Sequence, residues 1–302
     1  MKISKSKNSM KEKMGLSGWI VFCFLTFYTL VMFLLVLWAL STTLKTRSNF
    51  MTDTVGIPKG APWEWAWSNY LTVFKNFELP IKTNGQQIYV SIWMQFVYSL
   101  LYAGGSALTC TFCCCLMGYL NAKFKYAFSE AVYVFVIIAM VVPIIGSTPS
   151  MLLLLRTTGL YDTYLGMWLM KFNFGGLYFL VFHATYKGIS NDYSEAATVD
   201  GAGEVLIFFR IMLPMVVPTF ATICLLQFIE YWNDYNFALM YMPTHPTIAY
   251  GVYKMSRTNL EGMSTPPFRL AACFIMMIPI LTVFIIFRNK IMGNVTMGGV
   301  KE

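Results

Sequence analysis

Apolar runs long enough for an α-helix to cross a bilayer recur along this chain, at approximately residues 18–40, 89–119, 131–155, 163–186, 216–241 and 268–287. A water-soluble fold has no place to hide so much apolar surface. Of the 302 residues, 57% are hydrophobic and only 12% charged, about half the charged share of an ordinary soluble domain. The expected fold class is therefore an all-α integral membrane protein with six transmembrane helices. Length here counts helices rather than domains.

The formal net charge of +8 sits in short flanks between the apolar runs, not on one basic stripe. That distribution argues against a nucleic-acid partner and for membrane topology. Lys2, Lys5, Lys7, Lys11 and Lys13 precede the first run and place a basic tail, residues 1–17, in the cytoplasm. The run at 18–40 is longer than the ~7–15 apolar residues of a signal-peptide core and is read as a retained first helix. Residues 41–88 then form an external loop. Its Trp63, Trp65, Trp67 and Tyr70 suit a membrane interface, and packing of the loop on the helix ends accounts for them equally well. Six crossings place the transmembrane core at 89–290 and return the C-terminal tail, 291–302, to the cytoplasm. The expected location is the cytoplasmic membrane, multi-pass. The seven cysteines all fall in apolar stretches; Cys110, Cys113, Cys114 and Cys115 have no nearby His or carboxylate and read as buried small apolar residues, not as a metal site.

Two runs are interrupted. The third contains Pro143, Gly146 and Pro149, and the fourth contains Lys171-Phe172-Asn173-Phe174-Gly175-Gly176. Broken helices at membrane depth require protein or a watery cavity to satisfy the freed backbone groups, which points to a solute pathway rather than an anchor. Lys171 either faces that cavity or snorkels to the outer interface, and snorkelling is the favoured expectation. His183 and His245 stand isolated in the sequence.

The segment at about 187–214 carries the densest information. Asp192 and Glu195 have the spacing of a capping box, and Gly201 suits the left-handed turn that ends one helix and starts another. Ala196, Ala197 and Ala202 allow close approach of another surface, while Ile207, Phe208, Ile211 and Met212 form an apolar face on the second helix. The expectation is a cytoplasmic pair of short helices shaped for docking.

The string Glu195-Ala196-Ala197, Asp200-Gly201-Ala202, Phe208, Ile211 and Leu213-Pro214 resembles the EAA loop of ABC-importer permeases. The resemblance extends along nearly the whole chain to the carbohydrate-uptake branch, and to its maltose-type second permease subunit. Trp67-Ser68-Asn69-Tyr70, Gly118-Tyr119, Met140 to Pro143, Gly159-Leu160 with Thr163, Trp232-Asn233-Asp234 and Gly298-Gly299-Val300-Lys301 follow the family's order. Val90-Ser91, the terminal Glu302 and the cysteine-rich second run depart from it. The resemblance implies a type I ABC-importer permease fold in which Glu195, Ala196, Ala197, Asp200, Gly201 and Ala202 couple to an ATPase. It also implies a second permease subunit, a cytoplasmic ATPase dimer and an extracytoplasmic solute-binding protein as partners, with sugar as cargo.

In the fifth run Gln227, Glu230, Asn233, Asp234, Phe237 and Tyr241 recur at three- and four-residue spacing, as residues on one helical face do. Carboxylates inside a membrane span are costly and usually functional. The stripe either borders a translocation path or seals against a partner permease, with Asp234 alternatively at the outer headgroup level. No G-x-x-x-x-G-K-[ST] loop and no catalytic motif occur in the chain, so energy is expected from another subunit, without a cofactor, metal or enzymatic activity here. An ABC permease for a non-sugar solute such as a peptide or phosphate is the alternative, followed by an ion-driven secondary transporter.

Overall fold

The computed structural model describes residues 15–83, 85–124, 126, 128–142, 146–257 and 265–295, with side chains described as far as residue 286. Most of the lysine-rich tail, Lys125, Pro143, the Arg288 and Lys290 side chains and the closing 298–302 segment lie outside that description.

The chain opens with α1, Leu16–Thr43, a helix apolar around its whole circumference. None of its most apolar window is buried within the protein, as expected of a helix whose solvent is lipid. Only its last turn is held tightly. Asn69 Nδ2 donates to the carbonyls of Thr43 and Lys45 at 2.7 and 2.9 Å, and the Tyr70 hydroxyl meets Thr43 Oγ1 at 2.8 Å.

The segment expected as a plain loop is structured. It holds α2, Arg47–Thr52, then α3, Ser68–Asn76, then an antiparallel hairpin of β1, Glu78–Thr83, and β2, Gln86–Ser91. The fold is thus mostly helical rather than all-α, and the second long helix begins at Ile92 because strand pairing holds residues 86–91 extended. Of the tryptophans, Trp63 is exposed, while the indoles of Trp65 and Trp67 donate back to the Gly60 and Pro62 carbonyls of their own loop.

Helix α4, Ile92–Lys123, is the axis of the bundle. At 32 residues it spans about 48 Å, from the hairpin at one end to the loop after residue 187 at the other. The third run folds as α5, Ser129–Val141, and α6, Ser147–Thr157, with Gly146 left-handed at φ +83° before α6. The fourth folds as α7, Tyr164–Met170, and α8, Leu177–Lys187. Both interruptions fall where the Pro/Gly pattern places them, so neither run is one continuous helix. Next come α9, Asp192–Val199, and α10, Glu204–Ile207, which passes through a π turn, Phe208–Met212, into α11, Leu213–Asn233. The chain closes with α12, Tyr235–Tyr241, α13, Ile248–Arg257, and α14, Pro266–Val295.

Among the described residues, four helical stretches are long and apolar enough to cross a membrane: Leu16–Thr43, Ile92–Lys123, Glu204–Asn233 and Pro266–Ile286. The core forms where α4 meets α8 and α11. Gly118 permits this: a Cβ there would lie 2.7 Å from the Phe182 Cβ and 3.0 Å from the His183 backbone nitrogen. Cys110, Cys113, Cys114 and Cys115 are buried in the same seam.

Candidate coupling surface and polar pathway

The Glu195 to Gly201 segment forms a compact knob. Helix α9 ends in a Schellman motif, with Ala202 N–H donating to the Ala197 carbonyl at 2.9 Å and Gly201 N–H to the Thr198 carbonyl at 3.0 Å. Gly201 takes φ +86°, the left-handed geometry that glycine enters without a Cβ penalty. Ala197 faces the core and Ala202 packs against it, whereas Glu195, Ala196, Asp200 and Gly201 are exposed. The apolar face predicted for the following helix is present, with Ile207, Phe208 and Met212 buried and Ile211 packed beside them. That helix is not short: it continues through the π turn into α11, so the helix that follows the knob and the fifth apolar run are one rod, Glu204–Asn233. The expected capping box is absent. Asn191 rather than Asp192 is the N-cap residue and no side chain caps the helix, because Asp192 lies in the first turn.

The knob also presents apolar side chains outward. Val199, Val205 and Leu206 are exposed, Val199 at 88%.

The polar stripe of the fifth run divides. Helix α11 stops at Asn233 because Asp234 is extended and caps α12, its Oδ1 accepting from the Phe237 N–H at 3.2 Å. Asp234 Oδ2 accepts from the Tyr102 hydroxyl at 3.2 Å, which ties this break to α4. Gln227 is buried, and its Oε1 has no hydrogen-bond partner among the described residues. Glu230 and Asn233 face outward, and the Asn233 amide folds back onto the Ile229 carbonyl. One continuous face from 227 to 241 therefore does not exist; a break at Asp234 replaces it.

Lys171 corrects a second expectation. It does not snorkel but is 8% exposed, with Nζ 3.3 Å from the ring centroid of Phe237 and 4.6 Å from that of Tyr231. The Phe237 and Tyr231 ring faces hold the Lys171 head group by cation–π contact. The break after α7 thus delivers a cation to the break after α11.

His245, isolated in the sequence, is paired in space. Its Nδ1 lies 3.3 Å from Asp162 Oδ1 and 3.0 Å from Thr244 Oγ1, and the Thr244 hydroxyl donates to Asp162 Oδ2 at 2.6 Å. Tyr98 and Tyr164 hold the ring edge-on. His183 makes ring contacts with Tyr133 and Phe179. Sequence reasoning missed Tyr102, Asp162 and Lys123, whose partners are 66 or more positions away; no local pattern marks such pairings.

The chain is similar to known transport proteins. Residues 115–293, more than half of the chain, match the family described as binding-protein-dependent transport system inner membrane component. The diacetylchitobiose uptake system permease protein NgcG of Streptomyces coelicolor is 20% identical over 91% of this chain and 86% of its own length. The melibiose/raffinose/stachyose import permease protein MelC of Bacillus subtilis is 25% identical over 70% of this chain and 77% of its own. The arabinooligosaccharides transport system permease protein AraQ of the same species is 26% identical, covering 72% and 76%. A chain from the crystal structure of a bacterial ABC transporter involved in the import of the acidic polysaccharide alginate superposes with a TM-score of 0.72. It covers 92% of this chain and 98% of that one at 18% identity, a likeness of fold. On the match over more than half of its length, the chain belongs to the family of binding-protein-dependent transport system inner membrane components, as a multi-pass membrane permease.

Proposed function

We infer that this chain is one of two permease subunits of an ABC importer for short oligosaccharides, driven by a cytoplasmic ATPase dimer and supplied by an external solute-binding protein. The observation that carries the reading is the knob at Glu195–Gly201, joined by a short turn to the rod that starts at Glu204, bears Gln227 and stops just before Asp234. Closure of an ATPase groove around α9 would pull on that rod through the turn at Asp200–Gly203. In this topology α5–α6 and α7–α8 each complete one crossing, making six with the four long helices, and both tails are cytoplasmic. The lysines at 2–13 support that orientation. The hairpin and α13 then face the binding protein.

The cluster of Lys171, Tyr231, Asp234 and Phe237 is the proposed lining of the path. A buried cation, a carboxylate and aromatic faces match the hydroxyls and apolar ring faces of sugars. Relatives named for diacetylchitobiose, raffinose-type sugars and arabinooligosaccharides support sugar over peptide or phosphate. The test is reconstitution with partner permease, ATPase and binding protein, followed by ATP-dependent uptake of a labelled oligosaccharide panel. Uptake of at least one oligosaccharide is expected, reduced about tenfold by K171M and by D234A, as when one charged hydrogen-bonding group is removed. Undiminished uptake in both variants would remove the pathway assignment, and a complex that transports only peptides or phosphate would remove the sugar.

A further inference from the structure

The knob is attached to the bundle more loosely than its position demands. Of the eight residues of α9 only Ala197 is buried, and the chain enters and leaves the knob past Gly188, Gly201 and Gly203, residues with the widest backbone freedom. A force applied to α9 would be absorbed by these flanks unless a lateral link carries it.

One link is present. A cleft of about 510 Å³ separates α9 from the end of α4, walled by Tyr119, Lys123, Ser194, Glu195, Thr198 and Glu204 among others. The Lys123 side chain bridges from the last residue of α4, where a cation also suits the negative helix end. Its Nζ donates to the Ile189 carbonyl at 2.5 Å and to Asn191 Oδ1 at 2.8 Å. Asn191 is the N-cap residue of α9, so the cation grips the knob at its first turn. One turn earlier on α4, Tyr119 packs against Tyr186 and Phe208 with ring centroids 5.3 and 5.0 Å away, fixing the base of the bridge. Twenty-one residues before Lys123, about 32 Å along the same helix, Tyr102 donates to Asp234 at the break in the fifth run. Helix α4 therefore touches the knob through its last residue and the polar break through Tyr102, in its first half.

We propose that Lys123 is a positioning residue for energy coupling: it fastens the first turn of α9 to α4, so that movement of the knob is passed along α4 to the Tyr102–Asp234 contact. The proposal rests on the permease reading above and adds a second transmission line beside the α10–α11 rod.

The experiment uses the complete reconstituted transporter and reads ATP hydrolysis and sugar uptake in the same vesicles. With K123M, binding-protein-stimulated hydrolysis is expected to stay within about twofold of wild type, while sugar moved per ATP falls about five- to tenfold, the scale of losing charge-assisted hydrogen bonds. K123R, whose guanidinium reaches both acceptors, is expected to recover the ratio. N191A, which removes one acceptor and leaves the Ile189 carbonyl, is expected to fall between and serves if K123M fails to assemble. An unchanged ratio in K123M, or in N191A where K123M does not assemble, overturns the proposal. So does an equal loss of hydrolysis and uptake that K123R does not rescue. A wild-type complex that hydrolyses no ATP and takes up no sugar would instead overturn the permease reading.

Discussion

Asp162 shows how much one residue can hold together here. It sits at φ +61°, the one non-glycine residue with positive φ among those described. Its backbone N–H donates to the Tyr241 carbonyl at 3.0 Å, and its carboxylate takes the Thr244 hydroxyl and faces His245. Two loops that precede α7 and follow α12 are joined by this side chain. Left-handed geometry costs an alanine about 1–2 kcal/mol, while asparagine tolerates it and still accepts hydrogen bonds. D162A is therefore expected to lower thermal stability in detergent well beyond D162N, with the gap set by backbone strain plus the lost acceptor. Equal midpoints for the two variants would show that the turn carries no strain. None of this was legible in the sequence, where Asp162 and His245 are separated by 83 positions and each looks like an ordinary loop residue.

The elements were legible in proportion to how local their causes are. Gly201 announced the end of α9 because a Schellman motif is written in adjacent residues, and the interruptions at Gly146 and at Gly175-Gly176 announced themselves by composition. The hairpin carried its own signal, Asn84-Gly85 between apolar strands, a strong short-range mark of a two-residue turn, which the membrane pattern around it obscured. The end of α11 was hidden because a polar residue at four-residue spacing and an N-cap aspartate look alike until the helix stops. Two glycines test the packing of these elements. G118A drives a Cβ into Phe182 and is expected to cost about 1–3 kcal/mol by overpacking. G104A meets nothing within 4 Å and is expected to be neutral or slightly stabilising, since alanine favours a helix interior by about 0.5–1 kcal/mol. The comparison is made by thermal unfolding of the purified subunit; a G118A as stable as G104A would mean that α4 and α8 are not in close contact. At the knob, G201A forces a Cβ into φ +86°, with an expected penalty of about 1–2 kcal/mol confined to that turn. Uptake is expected to fall while subunit abundance holds, and normal uptake would show that the turn tolerates distortion.

At the scale of the whole molecule, membrane character was plain from hydropathy, and the turn between α9 and α10 from a single loop. The polar interior was not, because it is assembled from helix breaks far apart in the chain. Lys171 comes from the fourth run, Phe237 and Asp234 from the fifth, and Tyr102 from the second. Helix α1 was plain from hydropathy as a span, yet it stands outside the core and outside the matched family segment, 115–293. The π turn at Phe208–Met212 has a consequence for how the two ends of the molecule are related. Such a turn holds one residue more than the α-helix it interrupts, and each α-helical residue advances the helix by about 100°. That one residue sets the angular phase between the face shown at the knob and the face on which Gln227 and Tyr231 are buried. Removing it would leave both ends folded as they are and rotate one against the other by more than a quarter of a revolution, turning a buried side of the rod toward the lipid.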